Sequence, residues 1–272
     1  MLVAQITDPH VLAQGETFRG RIDTAAWLAR AVDAINGFRP AIGCVLLTGD
    51  CVDAGLPAQY ANLAGVLARL RMPLLAVPGN HDARAPFLAA FPAVAARVGD
   101  FPFVQYVADE FPVRLVGLDT LDEGAPGGRL CERRLDWLDA TLAADARKPT
   151  VVFMHHPPFA CGIAGMDAQR LAAPEKLAAI LARRSNIERV VAGHLHRAIE
   201  VRFAGTIAAT APATAHQVGL ALSSETPFGF TLEPPGFRVL RWSPTDGMTS
   251  HLATHAPFDG PFDWDDGSGL IS

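Results

Sequence analysis

No apolar run in the sequence reaches the roughly 18 residues that a membrane-crossing helix requires, so no passage through a bilayer is expected. The first residues, MLVAQITDPH, hold no basic cluster, and their apolar stretch is too short for a secretory leader. Cysteine is scarce: Cys44, Cys51, Cys131 and Cys161 are far apart and form no CxxC pair. A chain of 272 residues does not need staples, so these read as reduced thiols of a cytoplasmic protein. Block charge is also missing. The 23 basic and 28 acidic residues are interspersed, giving a net charge of -5 and no basic face for a nucleic-acid polymer. No GxSxG stretch is present, so a serine-nucleophile mechanism finds no anchor. There are no internal repeats and no low-complexity segments.

Apolar patterning is plentiful. Half of the residues are hydrophobic, ample for a buried core in one large domain or two small ones. Short apolar runs at 2–7, 43–48, 73–77, 113–118, 150–154 and 189–193 read as buried strands. Between them, IDTAAWLARAVDAIN, residues 57–70, ERRLDWLDATLAAD and PEKLAAILARR repeat apolar residues at helical spacing, with Asp23 as a first-turn acid. This β-α-β-α order predicts an α/β protein with a largely parallel sheet covered by helices. After residue 197 the texture becomes short, alternating and turn-rich. No linker precedes it, so residues 1–272 read as a single domain in which 197–255 are mainly β and belong to a second sheet. The tail, 256–272, mixes aromatics, prolines and four aspartates. It reads as a surface-packed end, with a homo-oligomer contact as the alternative.

The polar residues fall in a pattern. In open α/β sheets chemistry collects beyond the carboxyl ends of strands. Here the strand ends run into Asp8 and His10, Asp50, Asn80 and His81, His155 and His156, and His194 and His196. In extended chain, residues i and i+2 point the same way, so Asp8 with His10, and His194 with His196, can each converge on one point. One such histidine alone is more often structural. So many imidazoles and carboxylates near one crevice are costly without a cation. A single open ion cannot use them all, but two can share them. Imidazole with carboxylate suits Zn, Fe, Mn or Co.

Taken in order, DPH, TGD, PGNHD, MHHPPF and AGHLH resemble the signature of the calcineurin-like binuclear metallophosphoesterases, from Met1 to about Gln217. The resemblance implies a four-layer αββα sandwich of two mixed β-sheets flanked by helices. It implies that Asp8, His10, Asp50 and His196 hold one metal ion. Asp50 would bridge to a second, held also by Asn80, His155 and His194. The pair would be divalent or mixed-valence ions (Mn, Fe, Zn or Co). Within the family, GETFRGRID, HHPPFACGIAGMD and ATAHQV are similar to class III cyclic nucleotide phosphodiesterases and, more so, to bacterial glycerophosphodiesterases. Either His155 or His156 could be the ligand; His155 follows the strand directly and is favoured, with His156 as a buried partner.

The implied reaction is in-line attack on a small phosphodiester by a metal-bridging hydroxide, without a covalent intermediate. Two dications, two aspartates and a bridging hydroxide leave a charge of about +1. Asn80 preserves it, because a carboxylate there would bring it to about zero. His81 cannot easily share its neighbour's ion and is assigned to the phosphoryl group as catalytic acid, with a loop-orienting role as the alternative. His216 is carried over as a substrate contact. Arg21 stands where glycerophosphodiesterases tend to have an aromatic; it would bind an anionic group if it points inward, or be a solvated arginine if not. Cys51, His251 and His255 read as structural. Phosphomonoester or nucleotide pyrophosphate hydrolysis on the same scaffold is the competing reading. A non-catalytic phosphate-binding scaffold is the other class, disfavoured because no ligand position is lost.

Overall fold

A computed structural model describes residues 1–264. In chain order the elements are β1 (Leu2–Ile6), α1 (Thr24–Gly37), β2 (Cys44–Thr48), α2 (Pro57–Leu67), β3 (Leu74–Val77), α3 (Arg84–Ala90), α4 (Pro92–Val98), β4 (Tyr106–Ala108), β5 (Arg114–Gly117) and α5 (Glu132–Ala144). They continue with β6 (Thr150–Phe153), α6 (Ala164–Asp167), α7 (Pro174–Leu181), β7 (Ile187–Ala192), β8 (Ile199–Phe203), β9 (Thr206–Thr210), β10 (Gln217–Val218), β11 (Phe230–Thr231), β12 (Gly236–Ser243) and β13 (Gly247–Thr254). Each expected early strand forms, within a residue or two at each end. Asp23 is not inside the first turn but caps it: its carboxylate accepts from the Ala26 N–H at 2.9 Å.

Two mixed sheets result. The first has the order β13-β12-β1-β2-β3, the second β4-β5-β6-β7-β9-β8, and β10 pairs only with β11. Within them β1, β2 and β3 are mutually parallel, as are β5, β6, β7 and β9. The alternation along the second sheet explains the layering. Leu115, Val151, Phe153 and Val191 join a core that spans the space between the sheets and continues under α1 and α2. Their neighbours Val116, Val152 and Val190 join a separate core beneath α5 and α7. Period-2 geometry therefore gives each of these strands two buried faces, which is why they read as continuous apolar runs. The architecture is α/β, two mixed sheets flanked by helices.

The second half of the chain differs from expectation. β8 and β9 extend the second sheet, but β12 and β13 join the first, β12 running antiparallel to β1 with Val3 opposite Leu240. Alternation identifies a strand; it does not say which open edge the strand will find, and the β1 edge lay free. Of the tail, 256–264 are described and 265–272 lie outside the described residues. Phe258, Phe262 and Trp264 are exposed. No helix among the described residues is long and apolar enough to cross a membrane.

Candidate metal centre

The carboxyl ends of β1, β2, β3, β6 and β7 open onto one crevice between the sheets. The candidate residues sit in the turns just beyond those ends, not in extended chain. Asp8, His10, Asp50, His194 and His196 all have φ between 43° and 70°. The left-handed region is uncommon for residues with a Cβ, and such strain concentrates at functional sites. The expected i, i+2 convergence is therefore achieved by turn geometry, because each chain must bend sharply on leaving its strand. The turns interlock. Asp8 N–H donates to Gly49 O at 3.1 Å, His10 N–H to Asp50 O at 3.0 Å, and Gly193 N–H to His155 O at 2.9 Å.

The glycine preceding a candidate ligand has a steric reason at Gly49, Gly79 and Gly193, and a Cβ on Gly49 would overlap His155 Nδ1. A Cβ on Gly193 would stand 2.5 Å from Thr48 O and 2.9 Å from Asp8 Oδ2. One on Gly79 would overlap the Asp50 carboxylate and lie 2.8 Å from His155 Cε1.

Two groups of donors face inward and meet at Asp50. In the first, His10 Nε2 lies 3.2 Å from His196 Nε2 and 3.6 Å from Asp50 Oδ2, and His196 Nε2 lies 3.4 Å from Asp8 Oδ1. Of the outer nitrogens, His196 Nδ1 donates to His216 O at 3.0 Å, and His10 Nδ1 faces Asp53 Oδ1, 3.5 Å away. In the second, His155 Nε2 lies 3.0 Å from Asn80 Oδ1, 3.2 Å from His194 Nδ1 and 3.4 Å from Asp50 Oδ1. His155 Nδ1 donates to Thr48 O at 2.8 Å, so a neutral ring has no proton to offer on its inner side. Either a proton or a metal ion must sit among these acceptors. This donor set could hold metal ions, which is the chemistry expected of calcineurin-like enzymes.

The electrostatics agree. Burial opposes ionisation of Asp8, but the neighbouring His196 and His155 bring its carboxyl down to about 2. Asp50 is likewise held well below the usual range against its burial, chiefly by His155. Burial disfavours charge on His155, yet Asp50 and Asp8 raise it to about 9. Without a metal the inner position of His155 therefore carries the proton. His194 is pushed down to about 3 by burial and by the charge on His155.

His156 is fully buried with both ring nitrogens engaged, Nδ1 with Thr120 Oγ1 at 2.8 Å and Nε2 with Pro126 O at 3.3 Å. The two adjacent histidines are thus divided, His155 turned to the crevice and His156 to the frame. Cys51 is buried, and burial with the Asp82 and Asp50 carboxylates pushes its thiol far up, as suits a packing residue. His255 is buried and hydrogen-bonded to Thr214 O at 2.9 Å, whereas His251 is exposed on β13.

The crevice opens into a cavity of about 750 Å³. His81 lines it; its Nδ1 donates to Asp53 O at 2.6 Å, leaving Nε2 toward the cavity. Burial disfavours its charged form, but Asp50 and the Asp53 carbonyl outweigh that and raise the imidazole above its ordinary value. His216 also lines the cavity, its ring stacked on Phe18 at 4.4 Å, and is pushed down to about 3 by burial and the nearby His196 and His10. Arg21 is a correction. It is exposed and does not line the cavity; Arg19 does, with its guanidinium 5.4 Å from the Phe18 ring centre. The reason is the tight turn closed by paired Phe18 and Ile22 backbone bonds, in which Arg19 adopts φ 52°. The sequence reading also missed Asp53, which touches His10 and His81 and adds a negative charge to the balance. Arg19 at the mouth offsets it. The signal was the second aspartate of GDCVD, three residues after Asp50.

Residues 1–198 match the family of calcineurin-like phosphoesterases. The chain belongs to that family. Among curated calcineurin-like relatives, a glycerophosphodiester phosphodiesterase of Enterobacter lignolyticus, GpdQ, is 34% identical over 98% of this chain and 95% of its own. A probable cyclic nucleotide phosphodiesterase of Rhodopseudomonas palustris is 40% identical over 94% of this chain and 93% of its own. The fold is shared with a dimetal phosphatase of Danio rerio, at a TM-score of 0.65 and 18% identity over 94% of this chain and 99% of the other.

Proposed function

We propose that this calcineurin-like chain binds two divalent transition-metal ions and hydrolyses small-molecule phosphodiesters of the glycerophosphodiester or cyclic nucleotide type. The observation that carries the proposal is Asp50, whose two carboxylate oxygens face different donor groups: Oδ2 toward His10, and Oδ1 toward His155. Asp8, His10, Asp50 and His196 would hold one ion; Asp50, Asn80, His155 and His194 the other. When bound, the ions supply a nucleophilic water at neutral pH and neutralise charge on the phosphoryl group. The names of the relatives support diesters as the substrate class.

The chain's own groups do the rest. Asp50 is fixed by the His81 N–H, which donates to its Oδ1 at 2.9 Å. Asp8 is fixed by the His194 N–H, at 2.9 Å from Oδ2. His81, aimed by the Asp53 carbonyl and with its imidazole raised above its ordinary value, donates a proton from Nε2 to the departing alkoxide. The neutral His216 ring, stacked on Phe18, forms a wall of the cavity against the ester. Arg19 is the only arginine or lysine lining the cavity among the described residues, and it contacts an anionic oxygen or group on the substrate.

The test is reconstitution. Metal-stripped protein is reloaded with Mn, Co, Zn or Fe and assayed on bis-p-nitrophenyl phosphate, p-nitrophenyl phosphate, cyclic AMP and glycerophosphodiesters. Two ions per chain and a preference for diesters are expected. Preference for the monoester would replace this reading with a phosphomonoesterase, and inertness with every metal would end it.

A further inference from the structure

One buried carboxylate near the crevice has no part in the reaction so far. Asp82 is 6% exposed and receives three hydrogen bonds. Its Oδ2 accepts from Gly79 N–H at 2.8 Å and from Cys51 N–H at 3.1 Å, and its Oδ1 accepts from the Tyr60 hydroxyl at 2.7 Å. Tyr60 is itself buried on α2, and its hydroxyl oxygen accepts from Ala83 N–H at 3.2 Å. Gly79 directly precedes Asn80, and Cys51 directly follows Asp50. A single carboxylate thus ties the loop after β2 to the loop after β3, and α2 holds the carboxylate in place.

We propose that Asp82 and Tyr60 are positioning residues that set the spacing between Asp50 and Asn80, and through it the affinity of the Asn80–His155–His194 metal position. This rests on the two-metal reading. The selectivity follows from the anchoring of the other position. Asp8 and His10 are tied by backbone bonds to Gly49 and Asp50, and His196 by His216 O, none of which involves Asp82; Asp50, shared by both positions, keeps its bond to the His10 N–H, so loss of the brace moves chiefly Asn80, which serves one position alone. The brace lies behind the ligands, touching neither substrate nor ion, so its loss alters geometry and leaves the ligand set intact. Partners placed behind ligands in this way change metal affinity by about 10- to 100-fold when removed.

The probe is Mn(II) alone, titrated by calorimetry into the metal-free full chain. Tyr60→Phe keeps the ring against Phe87 and removes one donor from Asp82. It should weaken one of the two binding events by about 10- to 100-fold and leave the other within about twofold. Asp82→Asn, which can no longer accept on both oxygens, should do the same more strongly. A change in general folding would instead move both events together.

Amide exchange of the metal-free chain provides a second readout. The Gly79 and Cys51 amides should exchange faster in Tyr60→Phe, while the Asp8 amide, bonded to Gly49 O, keeps its rate. Equal weakening of both events, or no weakening with unchanged exchange, overturns the proposal. A wild-type chain that takes up a single ion refutes the two-metal reading; amide exchange then decides the brace alone, and unchanged rates overturn it.

Discussion

Replacing Gly79 by alanine adds one methyl group at the most crowded point of the site. The backbone there is not in the left-handed region, so alanine adds no conformational strain and the effect is steric. The new Cβ would lie 2.8 Å from His155 Cε1, and nearer still to Asp50 Oδ1 and Asp50 N. Carbon atoms prefer about 3.5–4.0 Å, so something must move by about 0.7–1.2 Å. The Asp50 backbone is tied into the β2 turn, leaving the Asp50 carboxylate and the Asn80 loop to give way. Overpacking of this kind costs about 1–3 kcal/mol, which for a chain of this size lowers Tm by roughly 2–10 °C. A 1 Å error in positioning lowers turnover by about 10². Gly65→Ala is the control: it sits in α2 with no atom within 4 Å, and helix propensity predicts a gain of about 0.5–1 kcal/mol. Metal content, thermal unfolding and kcat/KM on bis-p-nitrophenyl phosphate should be compared. Full metal content with kcat/KM within about threefold of wild type would refute the claim that Gly79 exists to admit Asp50.

Three further perturbations probe separate parts of the site. Mn(II) affinity of the position that holds His155 should rise about tenfold per pH unit below about 9 and then level off, because coordination there must expel the His155 proton that Asp50 and Asp8 hold against its burial; His194, at about 3, adds nothing. A chelator competition between about pH 6.5 and 8.5 reads this, and a flat profile contradicts it. Asn80→Asp adds a negative charge beside His155 and should raise the inhibition constant of inorganic phosphate by about tenfold or more, within the ~4 kcal/mol that a unit charge about 4 Å away exerts at an effective dielectric near 20; an unchanged constant removes the charge argument. His81→Ala should lower turnover of alkyl diesters by about 10²–10⁴ but p-nitrophenyl esters much less, and equal losses on both would leave His81 a loop-orienting residue.

Much of the fold is legible in residue order alone. The early strands announce themselves because both of their faces are buried, and an apolar run bounded by turn residues survives in one dimension. The shorter α3, α4, α6 and β4 passed unnoticed, being too short for their periodicity to stand out. The candidate ligands were visible because their residue types are expensive to cluster without a purpose. The division of labour between His155 and His156 was legible only as a preference, from the place of His155 directly after its strand, because the partners that fix it, Thr120, Pro126 and Asn80, arrive from distant parts of the chain. Arg21 shows the same limit from the other side: an inward arginine and a solvated one were both open, and which arginine of the loop faces the cavity is decided by a turn.

By itself the sequence determined the α/β layering, the family resemblance and the set of residues able to hold metal ions, because burial and ligand chemistry are written in residue type and order. Only the tertiary structure decided that β12 and β13 close the first sheet, that left-handed turns aim the candidate ligands, and that Asp82 and Tyr60 tie two loops together. Those depend on atoms brought within about 3 Å across tens of residues of chain, a distance that hydrogen bonding feels and residue order does not.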